Sequence, residues 1–129
     1  MNDFAKSLQD KCLSLAVQMV KLAQFLTNEK REFVISRQIA KSGTSIGANV
    51  REAQFAQSDA DFLSKLSIAL KESSETQYWL EVLLKAEYIS IELYEQLYLE
   101  VKQIVGMLVK TVKSMKSKLG IRSFNPTTL

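Results

Sequence analysis

The sequence predicts an all-α protein, an antiparallel up-and-down four-helix bundle. Its 129 residues include one proline and four glycines, too few for the frequent turns that a sheet protein needs. Apolar residues instead recur at steps of three and four along four stretches, the spacing of amphipathic helices. Short connections between these stretches favour antiparallel neighbours. We expect helices at about 3–26, 31–54, 59–87 and 91–118, with residues 1–119 as the bundle and 120–129 as a flexible C-terminal tail.

The first helix has one apolar stripe, which indicates a single packed face. The stripe consists of Phe4, Leu8, Cys12, Leu15, Met19, Leu22 and Leu26. Cys12 is the only cysteine, so no internal disulfide can form, and its place in the stripe indicates a small buried hydrophobe rather than a reactive thiol. Residues 27–31 are predicted to form a tight connection to the second helix.

The second helix has two interior glycines. Its predicted core stripe is Ile35, Ile39, Ser42, Ile46, Asn49 and Ala53, with Gly43, Gly47 and Val50 beside it. An interior glycine costs about 1 kcal/mol relative to alanine, so two of them four residues apart need a compensating role. We expect another helix to approach closely there, with a ligand groove as the alternative. Gly43, Ile46, Gly47 and Asn49 are the predicted helix-packing motif, and a buried Asn49 amide would need partners.

The third helix begins with a clear capping signal, Ser58 followed by Asp61. Its predicted core stripe is Phe62, Leu66, Ala69, Ser73, Thr76, Leu80 and Leu83. The middle of this stripe is polar, as is the middle of the second helix. We therefore hypothesise a hydrogen-bonded polar layer formed by Ser42, Ser45, Ser73 and Thr76.

A second face of the third helix mixes apolar and acidic side chains. It consists of Ile68, Glu72, Glu75, Trp79 and Val82. Large apolar groups beside charges are typical of protein interfaces, where tryptophan and tyrosine anchor contacts. These residues are the candidate oligomer or partner interface. The alternative is that Trp79 packs within the monomer.

The fourth helix has Ser90 as its N-cap, two adjacent apolar stripes and Gly120 as a stop signal. Basic residues cluster at its end: Lys110, Lys113, Lys116, Lys118 and Arg122. Lysines along one end of a protein can neutralise several phosphates, so these five are the candidate nucleic-acid contacts. The alternative is that they complement the helix dipole and keep the protein soluble.

The composition argues against an enzyme. Histidine is absent, which removes the commonest general base and the commonest transition-metal ligand. Glycine loops that bind phosphates are also missing. We expect no catalytic residues, no cofactor and no metal, although a site built only from carboxylates stays open. No apolar run of about eighteen residues is present, and the N-terminus lacks a signal-peptide pattern, so we expect a cytoplasmic protein that does not bind membranes.

The central run SGTSIGANVREAQFAQSDADFLSKLSIALKESSETQYWLEVL, residues 42–83, resembles the four-helix-bundle proteins named for the intervening sequences of bacterial 23S ribosomal RNA genes. The resemblance extends over nearly the whole chain. Residues 45–49 match the motif of the family's second helix. Glu72, Glu75, Tyr78 and Trp79 match the motif of its third helix.

This resemblance implies a bundle that oligomerises, with a homopentamer expected, and it brings no catalytic residues. The family is similar to the accessory variability determinant of diversity-generating retroelements, which implies contact with RNA or DNA and with a reverse transcriptase. Those retroelement proteins are strongly basic, whereas this chain has a net charge of +3.

Two functions remain open at this point. The first is a homo-oligomeric helical scaffold whose basic surface binds RNA or DNA without reading base sequence. The second is a protein–protein adaptor that acts through the Trp79 face and has no nucleic-acid role.

Overall fold

The computed structural model describes residues 2–120 and shows four helices in that part of the chain. They are α1 (Asp3–Asn28), α2 (Ile35–Ala53), α3 (Asp59–Lys85) and α4 (Ile91–Lys118). The predicted four-helix fold is confirmed. None of these four helices has an apolar stretch of the length needed to cross a bilayer. The predicted tail from residue 121 onward, with Arg122, lies outside the described residues.

The four helices pack around one core, each against its neighbours in the chain. α2 packs closely on both α1 and α3, α3 packs on α4, and the contact between α4 and α1 is the sparsest of the four. Successive helices joined by short connections run antiparallel. The start of α1, the end of α2, the start of α3 and the end of α4 therefore meet at one end of the bundle. We call it the lysine end, after Lys110, Lys113, Lys116 and Lys118.

The start of α2 differs from the prediction, because the helix begins at Ile35 rather than near residue 31. Arg31 adopts a left-handed conformation, with a φ of 54°, which interrupts the helical path. The carboxylate of Glu32 then accepts hydrogen bonds from the backbone N–H groups of Val34, Ile35 and Ser36, at 3.0, 3.0 and 2.8 Å. A side chain three residues before the first helical residue thus accepts hydrogen bonds from three backbone N–H groups at the start of the helix.

The other helix ends lie close to their predicted positions. Ser58 and Ser90 cap α3 and α4 by accepting from the N–H groups of Asp61 and Leu93, as the sequence predicts. α3 ends at Lys85, two residues before the predicted end, and Glu87 has a left-handed φ of 66°. α4 has its predicted bounds.

The core consists of the predicted stripe of α1 and the inner faces of the other helices. In α1 the buried residues are Leu8, Cys12, Leu15, Met19, Leu22 and Leu26, whereas Phe4 is exposed. Burial raises the pKa of the Cys12 thiol to about 12. The thiol therefore stays protonated at neutral pH and acts as a packing group, as its position in the stripe predicts.

Two glycines of α2 lie against α1. A Cβ on Gly43 would lie 2.9 Å from the Met19 Cβ, and one on Gly47 would lie 3.0 Å from the Cys12 Cβ. Real Cβ atoms do not approach neighbours as closely as at Gly43, so a side chain there would push the two helices apart. The absence of side chains at these positions allows the close packing of α1 on α2.

Asn49 does not occupy the buried position that the sequence predicts. It is half-buried, and its side-chain Nδ2 donates to the Ser45 carbonyl of its own helix at 2.8 Å. Val50 is buried instead. Close approach at the two glycines turns the inner face of α2 towards α1, which brings Val50 inward and moves Asn49 to the edge of the core.

The predicted polar layer is reduced to one pair between helices. The hydroxyl oxygens of Ser42 and Thr76 lie 2.9 Å apart in the buried contact between α2 and α3. Ser73 is buried but donates to the Ala69 carbonyl of its own helix. Ser45 is half-buried and donates to the Lys41 carbonyl, also within its helix. The hypothesis is therefore correct for two of its four members.

Candidate functional site

The lysines near the end of α4 surround the helix rather than line one face. At 100° per residue, Lys110 and Lys113 point away from the core about 60° apart, while Lys116 and Lys118 lie on opposite flanks. Lys110, Lys113 and Lys118 are exposed and Lys116 is half-buried. The Lys110 Nζ lies 5.7 Å from the centre of the Phe4 ring, a cation–π contact that links the end of α4 to the start of α1.

Two acidic side chains at the same end are engaged. The Asp61 carboxylate accepts from the Gln57 N–H at 3.1 Å, which completes the cap of α3. Glu52 at the end of α2 forms an ion pair with Lys65 of α3 at 3.4 Å. These contacts engage two acids around the turn between α2 and α3, whereas Asp3 of α1 and three of the α4 lysines are exposed.

Phe55 is the most exposed large apolar residue of the lysine end. It lies in the turn after α2, and 82% of its surface is accessible. Sequence reasoning missed this residue. The available signal was a single aromatic side chain in a polar turn, outside every apolar stripe.

The predicted Trp79 face lies along the side of the bundle formed by α2 and α3. We call it the acidic face, defined by Ile68, Glu72, Glu75, Trp79 and Val82. Trp79 is half-buried against the core, and its indole Nε1 donates to the Glu75 carboxylate at 3.2 Å. The exposed Tyr78 ring packs edge-on against the indole, with ring centres 5.0 Å apart. Trp79 therefore packs within the monomer while its polar edge reaches the surface.

The carboxylates of the acidic face, Glu72 and Glu75, are only partly compensated by a nearby cation. Partial burial and the neighbouring Glu75 carboxylate raise the pKa of Glu72, and Lys41 of α2 opposes this shift. Within residues 2–120 neither Glu72 nor Glu75 forms an ion pair. A cation brought to this face would therefore be attracted by both carboxylates.

A further apolar surface lies on the outer side of α1, and sequence reasoning missed it. Leu13, Val17 and Val20 are 56%, 47% and 43% exposed and follow one another at steps of four and three. We call these three residues the outer stripe. Their spacing was visible in the sequence, but the buried stripe of α1 already accounted for one packed face.

The outer stripe borders a groove between α1 and α2. The groove has a volume of about 350 Å³ and a mainly apolar lining that includes Gln9, Leu13, Ala16, Thr44, Gly47 and Ala48. Arg51 and Glu52 close one end. Because Gly47 has no side chain and its neighbours are small, this side of the bundle is open to a side chain from outside.

The described residues do not form an evident metal site. Across residues 2–120, no three His, Cys, Asp or Glu side chains come together in an arrangement that could hold a metal ion. The features that stand out in this part of the chain are thus the lysine end, the acidic face, and the outer stripe with its groove.

Comparison with known families identifies the bundle. The model of the family described as 23S rRNA-intervening sequence protein matches residues 7–110. This chain belongs to that family. The family predicted from the central run is thereby confirmed, while its relation to diversity-generating retroelements stays a prediction.

The chain is also similar to a protein whose crystal structure has been solved. The crystal structure, at 1.70 Å resolution, is of a protein with unknown function from the S23 ribosomal protein family of Bacteroides thetaiotaomicron VPI-5482. The two chains are 52% identical, the match covers 85% of this chain and 98% of the other, and the TM-score is 0.84. No curated protein matches the chain.

The family match covers the candidate surfaces unequally. Residues 7–110 include the outer stripe, the glycine pair and the whole acidic face. Lys113, Lys116 and Lys118 lie beyond the matched residues. The match to the 23S rRNA-intervening sequence family therefore includes the candidate surfaces on the sides of the bundle. The lysines past Lys110 lie outside the match, so their role is argued only from their charge and exposure.

Proposed function

We propose that this protein is a non-enzymatic homo-oligomeric scaffold, with five subunits expected, that binds RNA or DNA through its lysine end without reading base sequence. One observation carries the nucleic-acid part: Lys110, Lys113 and Lys118 are exposed around the last turns of α4. Cations on a helix end can contact successive phosphates but offer no fixed base-reading geometry. The family name refers to 23S rRNA, which makes structured RNA the first ligand to test.

Self-association supports this function because it brings the lysine ends of several subunits together. A net charge of +3 on one subunit gives only weak attraction to a polyanion. In a ring whose axis runs along the helices, every subunit presents its lysine end on the same side. The local field on that side then grows with the number of subunits.

Salt-dependent binding measurements test the nucleic-acid part. We expect a labelled structured RNA and a random-sequence duplex to bind with similar affinity, and log K to fall linearly with log salt. Lys110→Glu with Lys113→Glu should weaken binding and reduce the salt slope by about 2. The matched control is Lys30→Glu with Lys85→Glu, the same change in charge at the opposite end of the bundle.

The control separates a local surface from net charge. Binding that falls equally in both double variants would show that total charge, and not the lysine end, governs affinity. Binding that is unchanged in the Lys110/Lys113 variant would contradict the proposed contact.

A protein–protein adaptor is the second candidate, and the exposed Tyr78 beside Trp79 favours it. Aromatic side chains at the surface are typical anchors of protein contacts. A reverse transcriptase is one partner that the resemblance suggests. On this hypothesis the purified protein binds no nucleic acid at low salt. Replacing Ile68 and Tyr78 by alanine should then abolish cross-linking to a purified partner while the helix content stays unchanged.

A further inference from the structure

We infer that Phe55 is a stacking platform for an unpaired nucleobase, so that the lysine end binds single-stranded segments of RNA or DNA more tightly than paired ones. This inference rests on the proposed function and adds to it the kind of nucleic acid that is preferred. Paired structured RNA and duplex DNA still bind alike, because both are held only through their phosphates.

The first step is the exposure of Phe55. Its side chain is 82% exposed, and the next most exposed large apolar residue in the described part of the chain is Val34, at 67%. A phenyl ring left in water gives up the stabilisation that burial would bring. Phe55 therefore contributes little to the core, and most of its surface is available to a ligand.

The second step is that the turn carrying Phe55 is ordered. The backbone N–H groups of Gln54, Phe55 and Ala56 each donate to the carbonyl group three positions earlier, at 3.1, 3.0 and 3.2 Å. The Ser58 cap of α3 fixes the other side of the turn. The backbone therefore holds Phe55 in place before a ligand arrives, which lowers the entropy cost of binding.

The third step is the cavity beside Phe55. It has a volume of about 470 Å³ and lies between the end of α2 and the start of α3, where Arg51, Gln57 and Lys65 also line it. Small-molecule sites usually have volumes of about 300–1,000 Å³. The Gln57 side-chain amide can donate to or accept from the edge of any base, which agrees with binding that does not depend on base sequence.

The fourth step is the balance of charge in this cavity. Two carboxylates, Glu52 and Asp61, lie beside its two cations, and they are already held by Lys65 and by the Gln57 N–H. Because these charges offset one another, the cavity offers phosphates no net attraction. The contribution of Phe55 is therefore stacking on a base and not a contact to the backbone of the strand.

The lysines of α4 supply the attraction to phosphates that the cavity lacks. Neighbouring helices in a bundle lie about 8–10 Å apart, so the turn after α2 and the end of α4, at opposite corners of the lysine end, are roughly 15 Å apart. A strand with a rise of about 3.4 Å per stacked nucleotide covers that distance with about five nucleotides. Proteins that bind single strands usually combine basic side chains along the backbone with an aromatic ring that stacks on a base.

Base pairing decides which nucleic acids can use Phe55. In a duplex each base is covered on both faces by its neighbours and is held at its edge by its partner. An unpaired base in a loop, a bulge or a single-stranded end can leave the stack and lie on an aromatic ring. The lysines can contact both kinds of strand, so Phe55 is the residue that discriminates between them.

Two single strands of equal charge test the stacking directly. One is an oligodeoxyadenylate, and the other is an abasic DNA strand with the same number of phosphates and no bases. We expect the wild-type protein to bind the oligodeoxyadenylate about tenfold more tightly. Phe55→Ala should remove this difference by weakening only oligodeoxyadenylate binding. The slope of log K against log salt should stay the same, because no phosphate contact is lost.

Phe33→Ala is the matched control. Phe33 is 49% exposed and lies in the connection between α1 and α2, at the opposite end of the bundle. Its replacement should leave the affinity for both strands unchanged. Phe55→Trp should keep the preference for oligodeoxyadenylate, and the emission of the added indole should be quenched by that strand and not by the abasic one. Circular dichroism verifies that each variant is folded.

The outcomes separate this inference from the function on which it rests. A wild-type protein that binds neither single strand nor a duplex overturns nucleic-acid binding, and the inference with it. A protein that binds a duplex but shows no preference between the two single strands overturns only the role of Phe55. The same holds if Phe55→Ala keeps the preference, or if it weakens binding of both strands equally. A change of mass in light scattering together with such equal weakening would indicate that Phe55 contacts a second copy instead.

Discussion

The hydroxyl oxygens of Ser42 and Thr76 lie 2.9 Å apart where α2 meets α3. The Thr76 oxygen also lies 2.8 Å from the Glu72 carbonyl oxygen. A hydroxyl has one hydrogen and two acceptor sites, so the arrangement that satisfies every group has Thr76 donating to Glu72 and Ser42 donating to Thr76. Thr76 is therefore the central member of the chain of bonds, and Ser42 depends on it.

Replacing the two hydroxyls should have unequal costs. Thr76→Val leaves the buried Ser42 hydroxyl without its partner, and we expect the free energy of unfolding to fall by about 1–3 kcal/mol. Ser42→Ala leaves Thr76 bonded to the Glu72 carbonyl, so we expect about 1 kcal/mol or less. Urea unfolding at one fixed protein concentration measures both. The reverse order would contradict the assigned direction of the bond.

Gly43→Ala should destabilise the protein although alanine is the better helix former. The gain in helix propensity is about 1 kcal/mol, but the new Cβ would lie 2.9 Å from the buried Met19 Cβ. Overpacking of this kind costs about 1–3 kcal/mol, because α1 must move away from α2. We expect a net loss in the free energy of unfolding, measured by urea denaturation.

Gly106→Ala is the matched control for that change. Gly106 lies in the interior of α4, and a Cβ there would meet nothing within 4 Å. The same substitution should therefore stabilise the protein by about 1 kcal/mol. A Gly43→Ala variant as stable as Gly106→Ala would show that α1 and α2 do not need the glycine for their close contact.

The cap of α2 predicts a specific loss of stability in acid. Burial acts to raise the pKa of Glu32, but hydrogen bonds from Ile35, Ser36 and Val34 outweigh it, so the pKa lies below its usual value of 4.5. An acid with a lowered pKa stabilises the fold fully above its unfolded pKa, and the contribution is lost as the pH falls through the folded pKa. The stability advantage over Glu32→Gln should therefore be constant above about pH 5.5 and shrink below about pH 4.5.

Chemical denaturation of the two proteins between pH 3 and pH 7 measures this difference. Glu29→Gln is the control, since the Glu29 carboxylate makes no hydrogen bond to the start of α2 in the described part of the chain. An advantage that is independent of pH would mean that the charge of Glu32 does not contribute to the cap.

Cys12 should report the opening of the contact between α1 and α2. The thiol is buried and its pKa is raised to about 12, so almost no reactive thiolate forms in the closed protein at pH 8. We expect a thiol-specific reagent to react at least about hundredfold more slowly with the folded protein than with the urea-unfolded chain. Reaction at equal rates would show that this contact opens freely.

The sequence could predict those parts of the bundle that depend on local signals. Ser58 and Ser90 cap α3 and α4 because each hydroxyl oxygen accepts a hydrogen bond from the N–H group three residues later. This spacing can be recognised from the sequence alone. The start of α2 was not readable in this way, because its N-cap residue is Val34 and the capping carboxylate belongs to Glu32. Asn49 was misplaced because the rotation of α2 is set by its contact with α1 at the glycines.

The candidate surfaces also differ in whether they could be predicted from the sequence. The residues of the acidic face and the lysines of α4 could be named from composition along one helix. The groove beside Gly47 could not, because it exists only where small residues of two helices meet. The outer stripe could be recognised as a surface only from the packing, which shows that α2, α3 and α4 leave that side of α1 uncovered.

The sparse contact between α1 and α4 has a consequence for motion. α1 and α2 pack closely at Gly43, whereas a groove of about 480 Å³ with polar lining residues separates parts of α1 and α4. Beside this groove, the buried Oε2 of Glu100 has no hydrogen-bond partner in the described part of the chain. Local fluctuations begin where packing is least complete. We expect amide hydrogen exchange to be faster on the sides of α1 and α4 that face each other than in α2. We also expect α1 and α2 to stay in contact during these local openings.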